Sequence, residues 1–139
     1  VSMLNHTTVN RKPVLDLIKE GKLDKKTLEN IIQRTKDGGA EIVKLLEKGS
    51  AFYAPAASGV EMAESYLKDL KKQLPCAAYL NGEYNVKNLY AGVPAIIGKN
   101  GIEKIIEINL SNEEKINFDN SIAAVKELFG AAKKIDSNL

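Results

Sequence analysis

Apolar positions change their spacing along this chain, and the spacing predicts most of its elements. Asp24 is a good helix cap, and after it Leu28, Ile31, Ile32, Ile42, Val43, Leu45 and Leu46 recur at helical intervals with charges between them. That pattern predicts an amphipathic helix over Lys25–Lys48, the longest element of the chain. Gly38 and Gly39 interrupt it. Each costs about 1 kcal/mol relative to alanine in a helix interior, so the pair marks a kink, a close helix contact or the approach of a ligand. Lys48 suits the negative end of the helix, and Gly49 supplies its stop. A second helix is predicted from Pro55 to Lys72, with Val60, Met62, Ala63, Tyr66, Leu67 and Leu70 on one side. A third opens with the capping box Ser111-x-x-Glu114 and carries Phe118, Ile122, Val125, Phe129 and Ala132 as a packing stripe. Upstream, Pro13 opens a short helix that Gly21 closes.

Other stretches read as strands. Asn5–Val9 is a short one. Leu74–Leu80 is apolar and followed by Asn81-Gly82, a dipeptide suited to a tight hairpin turn, with Tyr84 and Val86 in the returning strand. Gly92–Gly98 is apolar, Lys99-Asn100-Gly101 turns the chain, and Ile102, Lys104, Ile106 and Ile108 alternate with Glu103, Ile105 and Glu107. Ile105 breaks the two-faced pattern, so part of the second face is expected to be covered. Beyond Ile135 the tail is polar and expected to fray. Helices and antiparallel hairpins without βαβ alternation predict an α+β architecture, with long helices packed on the hairpins.

Composition narrows the chemistry. At 139 residues the chain is long enough for a single domain with a sizeable core. A formal net charge of +2, with only short lysine pairs, predicts no nucleic-acid partner. No apolar run approaches the ~20 residues of a bilayer span, so no membrane partner is predicted and the default location is cytoplasmic. A lone cysteine, Cys76, forms no disulfide within the chain and reads as a small core residue. The single histidine, His6, is expected to be exposed and inert, and no metal site is predicted because His/Cys ligand spacing is absent. There is neither GxGxxG nor GxxxxGK[ST], so the chain has no recognisable phosphate cradle.

Chemistry is sought where the first long helix gives way to the second, in Lys48–Ser65. Between the two helices lie Ser50, Ala51, Phe52 and Tyr53, a connection with one hydroxyl, one phenol and little bulk near its start. Read physically, it is a tight helix corner or a pocket wall.

The same stretch carries a resemblance. Gly49-Ser50-Ala51-Phe52-Tyr53-Ala54-Pro55-Ala56-Ala57-Ser58, continued by Met62-Ala63-Glu64-Ser65-Tyr66-Leu67-Lys68-Asp69, closely resembles the NAD-dependent malate dehydrogenases of the lactate-dehydrogenase-like type. Leu74–Tyr84, Gly92-Val93-Pro94, Ile97-Gly98-x-x-Gly101 and Ile105–Ile108 resemble later strands of that family, in the same order, so the likeness covers essentially the whole chain. It implies that residues 1–139 are the C-terminal, substrate-side domain, and that a Rossmann domain binding NAD belongs upstream. The family's catalytic histidine lies in an HGD motif that would precede Val1; His6 does not match it, and no catalytic residue is expected in this chain.

Carried over by position, Ser50 and Ala51 correspond to a substrate-pocket wall, and Pro55 to a residue packing near the nicotinamide ring. Lactate dehydrogenases commonly place a threonine where this chain has Ala51; the smaller residue leaves room for the larger side of oxaloacetate. The resemblance implies a parent enzyme interconverting malate and oxaloacetate in the tricarboxylic acid cycle, and a homo-oligomer, dimer or tetramer, with both long helices at or near subunit contacts. The 139 residues alone are expected to bind no NAD and to be catalytically silent. Alternatives are a domain of a related lactate dehydrogenase and a non-enzymatic oligomerisation module.

Overall fold

The computed structural model describes residues 2–136; the predicted fraying beyond Ile135 falls mostly on residues 137–139, outside the described residues. The chain forms two compact units, Val1–Pro55 and Ala56–Leu139.

In the first unit the predicted strand at Asn5–Val9 is mostly a 3-10 turn, Leu4–His6, leaving only β1 (Thr8–Val9), which pairs antiparallel with β2 (Lys12–Pro13). The turn between them places Asn10 and Arg11 at φ of 51° and 66°. Two successive positive φ angles make a type I′ turn, and Arg11 gives no sequence warning of it. Helix α1 (Val14–Lys19) starts after Pro13 as predicted and ends in a Schellman motif. Gly21, at φ 67°, donates to the Ile18 carbonyl at 2.9 Å, and Lys22 donates to Leu17 at 2.9 Å. Glu20, just past the helix, is ion-paired with Lys12 and Lys22, the Lys12 hydrogen bond doing most to hold its carboxyl below the usual range.

Helix α2 spans Lys25–Leu46. Asp24 caps it, accepting from the Thr27 amide at 2.9 Å, which satisfies an otherwise orphaned donor. The helix runs through Gly38 and Gly39 without a break, and a Cβ on either would meet nothing within 4 Å. Among the described residues, therefore, no close helix contact explains the glycines. The Arg34 guanidinium bridges across them to Glu41, with bonds of 3.2 and 3.0 Å. That two-point contact spans the weakest propensity in the helix. Of the apolar positions, only Leu28 is buried; Ile31, Ile42, Val43, Leu45 and Leu46 are exposed.

Helix α3 (Tyr53–Leu67) starts two residues before Pro55 and stops short of the predicted Lys72. Its end is again a Schellman motif: Leu70 donates to the Ser65 carbonyl at 2.9 Å and Asp69 to Tyr66 at 3.3 Å, with Asp69 at φ 49°. Aspartate tolerates this conformation better than most residues, but it is not the glycine that would have announced the stop.

The second unit is built on an antiparallel sheet in the order β3 (Lys72–Asn81), β4 (Lys87–Gly98), β5 (Gly101–Ile105). Every second residue of the central strand, Leu89, Ala91, Val93, Ala95 and Ile97, is buried, the period expected of a sheet with one covered face. Helix α4 (Asn112–Ile135) covers it and is the longest element, two residues longer than α2 (24 against 22), so the expectation for α2 is corrected. The predicted capping box forms in full: Ser111 Oγ accepts from the Glu114 amide at 3.3 Å, and Glu114 accepts from the Ser111 amide at 2.9 Å. Ile122 lies in the core with Ala78, Leu80, Val86, Leu89, Ala91 and Val93, while Phe118 and Val125 pack against it. Phe129, further along the predicted stripe, is 40% exposed, so the helix packs mainly through its first half.

Two departures in the sheet have physical causes. Asn81-Gly82 does not make a two-residue turn: Gly82 (φ 138°) leads into a 3-10 turn over Glu83–Asn85 that takes Tyr84 out of the returning strand. At the other hairpin, Ile96 pairs with Lys104 but Ile97 with Ile102, leaving Glu103 as an extra residue. This bulge reverses the alternation, turning Ile105 onto the core while Ile102 remains 43% exposed.

Candidate functional site

Helix α2 closes at Glu47, which takes φ 57°, two residues before the expected Gly49. Gly49 still carries a positive φ, 103°, and a Cβ added there would lie 3.1 Å from the Phe52 ring. The corner therefore needs glycine twice over, for its backbone angle and for the ring folded against it. The sequence places Phe52 in this connection but does not announce its packing on Gly49, because an aromatic three positions after a glycine is too common a spacing.

Ser50 and Ala51 sit in this connection before α3, Ser50 exposed and Ala51 half-buried; Pro55 is exposed in the first turn of α3. The helix accepts a proline there because amides in the first turn have no carbonyl partner within the helix. The Ser50 hydroxyl has no hydrogen-bond partner among the described residues, and the adjoining Phe52 and Tyr53 are 60% and 91% exposed. A small polar wall with open aromatics beside it can shape a pocket and accept contacts. The Ser50 hydroxyl has no base hydrogen-bonded to it among the described residues to activate it as a nucleophile.

The remaining candidates are dispersed. His6 ends the exposed 3-10 turn of the first unit. Cys76 is half-buried in β3, where burial pushes its thiol pKa above the ordinary 9.0, opposite to what a nucleophile needs. No His/Cys/Asp/Glu group among the described residues is arranged to hold a metal ion. One depression of about 420 Å³ follows α2 past Ile31, Gly38 and Leu45, and another of about 580 Å³ lies beside Tyr79, Tyr90 and β5. Neither is lined by Ser50, Ala51 or Pro55. No described helix is long and apolar enough to cross a membrane.

Residues 1–135 match the family of the lactate/malate dehydrogenase, alpha/beta C-terminal domain. The chain belongs to that family. Across all 139 residues it is 66% identical to a malate dehydrogenase of Pelagibacter ubique, of which it spans 43%. Among solved structures, a malate dehydrogenase of Cryptosporidium parvum superposes with a TM-score of 0.91 at 46% identity, over 94% of this chain and 42% of that one. A lactate dehydrogenase of Eimeria maxima, determined with NADH and oxamate, gives 0.92 at 46% identity, over 97% and 42%. The chain thus spans less than half the length of the relatives it matches.

Among the described residues, this lactate/malate dehydrogenase domain shows no dinucleotide-binding framework of its own. Its sheet is antiparallel throughout, without the parallel strands and switch point that frame a dinucleotide crevice. The connection from β5 to α4, residues 106–111, contains no glycine to let a backbone approach a pyrophosphate. No hydride step is assigned to this chain.

Proposed function

We propose that residues 1–139 form the C-terminal, substrate-side domain of a malate dehydrogenase that interconverts malate and oxaloacetate with NAD. The single observation carrying this reading is the 66% identity to a malate dehydrogenase along the whole chain. In this proposal the dinucleotide site and the catalytic histidine and arginines belong to an upstream Rossmann domain. This chain contributes Ser50 and Ala51 as a wall of the substrate pocket and Pro55 beside the nicotinamide. The enzyme works as a cytoplasmic homo-oligomer, in keeping with the exposed apolar residues of α2 and α3.

Lactate as substrate is the second reading, supported by the equally good superposition on a lactate dehydrogenase. A small Ala51 favours the bulkier oxaloacetate. The test is NADH oxidation with oxaloacetate and then pyruvate, by the 139-residue chain and by the same chain joined to a dinucleotide-binding half of the family. The proposal expects silence from the chain alone and an oxaloacetate preference from the joined protein. Turnover by the chain alone would overturn the division of labour, and a pyruvate preference would overturn the substrate.

A further inference from the structure

The chain turns sharply between α2 and α3. Glu47, at φ 57° and ψ −38°, is the centre of a turn in which the Lys48 amide donates to the Leu46 carbonyl. This is the rare and strained form of the three-residue turn. Backbone strain persists only where the surroundings over-determine it, and it clusters at ligand clamps and active sites. Gly49 turns the chain again at φ 103°, and Phe52 closes the corner from its far side. The Phe52 Cζ lies 3.1 Å, and a Cε 3.5 Å, from the place where a Gly49 Cβ would stand.

We propose that Phe52 is a positioning residue for the substrate: by covering Gly49 it fixes Ser50 and Ala51, the pocket wall that lies between them. This role rests on the malate dehydrogenase reading and adds to it a side chain that acts on the wall without touching the reacting atoms. Ser50 and Ala51 belong to neither helix and to no strand, so no helical or ladder bonding sets their dihedral angles. A contact between residues 49 and 52 restricts both residues in between, because a very short segment closed at its ends has few conformations left.

The contact depends on reach. The ring atoms nearest Gly49 are those farthest from the Phe52 backbone, so leucine, which ends at Cδ, keeps the apolar character and loses the contact. It depends equally on Gly49, since a side chain there would enter the space the ring holds. The wall itself carries no charged group. Ser50 and Ala51 can therefore select a substrate only by shape and by one hydroxyl, and shape selects only while it is held still. Misplacing a group by about 1 Å at a distance from the chemistry can cost on the order of 100-fold in rate. A rigid corner is what such a wall requires.

The experiment has two readouts. In the 139-residue chain, NMR is expected to show a nuclear Overhauser contact between the Phe52 ring and the Gly49 α-protons, with backbone order parameters at Ser50 and Ala51 near the ~0.85 of rigid backbone. Phe52→Ala and Phe52→Leu are expected to lower them toward the ~0.6 of flexible backbone, leaving the thermal midpoint nearly unchanged. In the chain joined to a dinucleotide-binding half, both substitutions are expected to raise KM for oxaloacetate several-fold with kcat little altered, the mark of lost uniform binding. Phe52→Met, long enough to reach Gly49, is expected to restore part of each. Order parameters that are low in the wild type, or that the substitutions leave unchanged, overturn the positioning role whatever the substrate. Lowered order parameters with an unaltered KM overturn it too, because the order of the corner then does not serve the substrate. A joined wild-type protein that turns over neither oxaloacetate nor pyruvate overturns the malate dehydrogenase reading, a failure that the order parameters keep separate from the state of the corner.

Discussion

The hydroxyl of Tyr84 donates to the carbonyl of Ile106 at 2.7 Å and accepts from the Ile108 amide at 3.0 Å. The reason lies in Pro94. Ile106 donates to the Pro94 carbonyl at 2.8 Å, one step beyond the Ala95–Ile105 pair. In an antiparallel ladder residue 94 would return an N–H to Ile106, but proline has none. The tyrosine supplies that proton instead. Pro75, directly opposite Pro94, turns its own nitrogen to the free edge of β3, where no ladder bond is lost. The Tyr84 ring lies 5.1 Å from that of Phe118, joining this repair to helix α4.

Tyr84→Phe keeps the ring contact and removes both hydroxyl bonds, and is expected to cost about 1–3 kcal/mol of unfolding free energy. Pro94→Ala restores an N–H at the place where Ile106 needs one. In the Tyr84→Phe background it is expected to recover about 1 kcal/mol, and to recover nothing in the wild type. Urea unfolding of the four proteins in this cycle checks it; additive effects would show that the hydroxyl does not replace the missing donor.

Ser65 is fully buried on α3, and its hydroxyl donates to the Ile97 carbonyl at 2.7 Å while accepting from the Lys72 amide at 3.2 Å. Ser65→Ala is expected to destabilise by about 1–3 kcal/mol, because each backbone group is left without its partner. Ser65→Thr, which keeps the hydroxyl, is expected to lose less if the methyl group is accommodated. Denaturant midpoints at constant m-value make the comparison.

Much of this fold is legible in the sequence wherever one residue type performs the local job. Asp24, Gly21 and the Ser111–Glu114 box bound their helices as read, because capping follows from side chains a few positions away. Helix ends are misplaced where Glu47 or Asp69 takes the left-handed conformation that glycine would have advertised. The role of the Tyr84 hydroxyl is hidden because the missing N–H that it replaces belongs to Pro94, ten residues away in β4. Ile105 is correctly singled out as breaking the alternation, but only the pairing of β5 with β4 reveals the bulge behind it. The candidate site is the least legible part: Ser50, Ala51 and Pro55 are distinguished by family resemblance, since neither charge nor perturbed titration marks them.

Several exposed carboxylates give the chain an acid limb. Hydrogen bonding from Lys68 holds Glu64 below its ordinary 4.5, Arg34 does the same for Glu41, and the Asn81 amide for Glu83. A carboxylate with a lowered folded-state pKa contributes fully above its unfolded value and loses that contribution as pH falls through the folded one. Stability is therefore expected to be flat in these groups above about pH 4.5 and to decline below it, more weakly in high salt because the ion pairs are exposed. Glu64→Gln is expected to flatten the decline. Thermal melts between neutral and acid pH follow it, and a decline unchanged in the variant would remove Glu64 from the account.

Ala51 offers the sharpest test of the substrate assignment, in the protein that joins this chain to its dinucleotide-binding half. A half-buried alanine at the helix corner leaves space that a larger side chain would take. Ala51→Thr adds a methyl and a hydroxyl, changes that in a substrate pocket are worth about 1–3 kcal/mol, or about 10–200-fold in kcat/KM. Oxaloacetate carries a second carboxylate and should suffer most, whereas the smaller pyruvate should lose little, so the ratio of the two kcat/KM values is expected to fall by about tenfold or more. The substitution lies in an open connection and is expected to leave the thermal midpoint nearly unchanged. A fall in the ratio with an unchanged midpoint places Ala51 at the substrate; equal losses for both substrates would show that it acts on the fold of the corner instead.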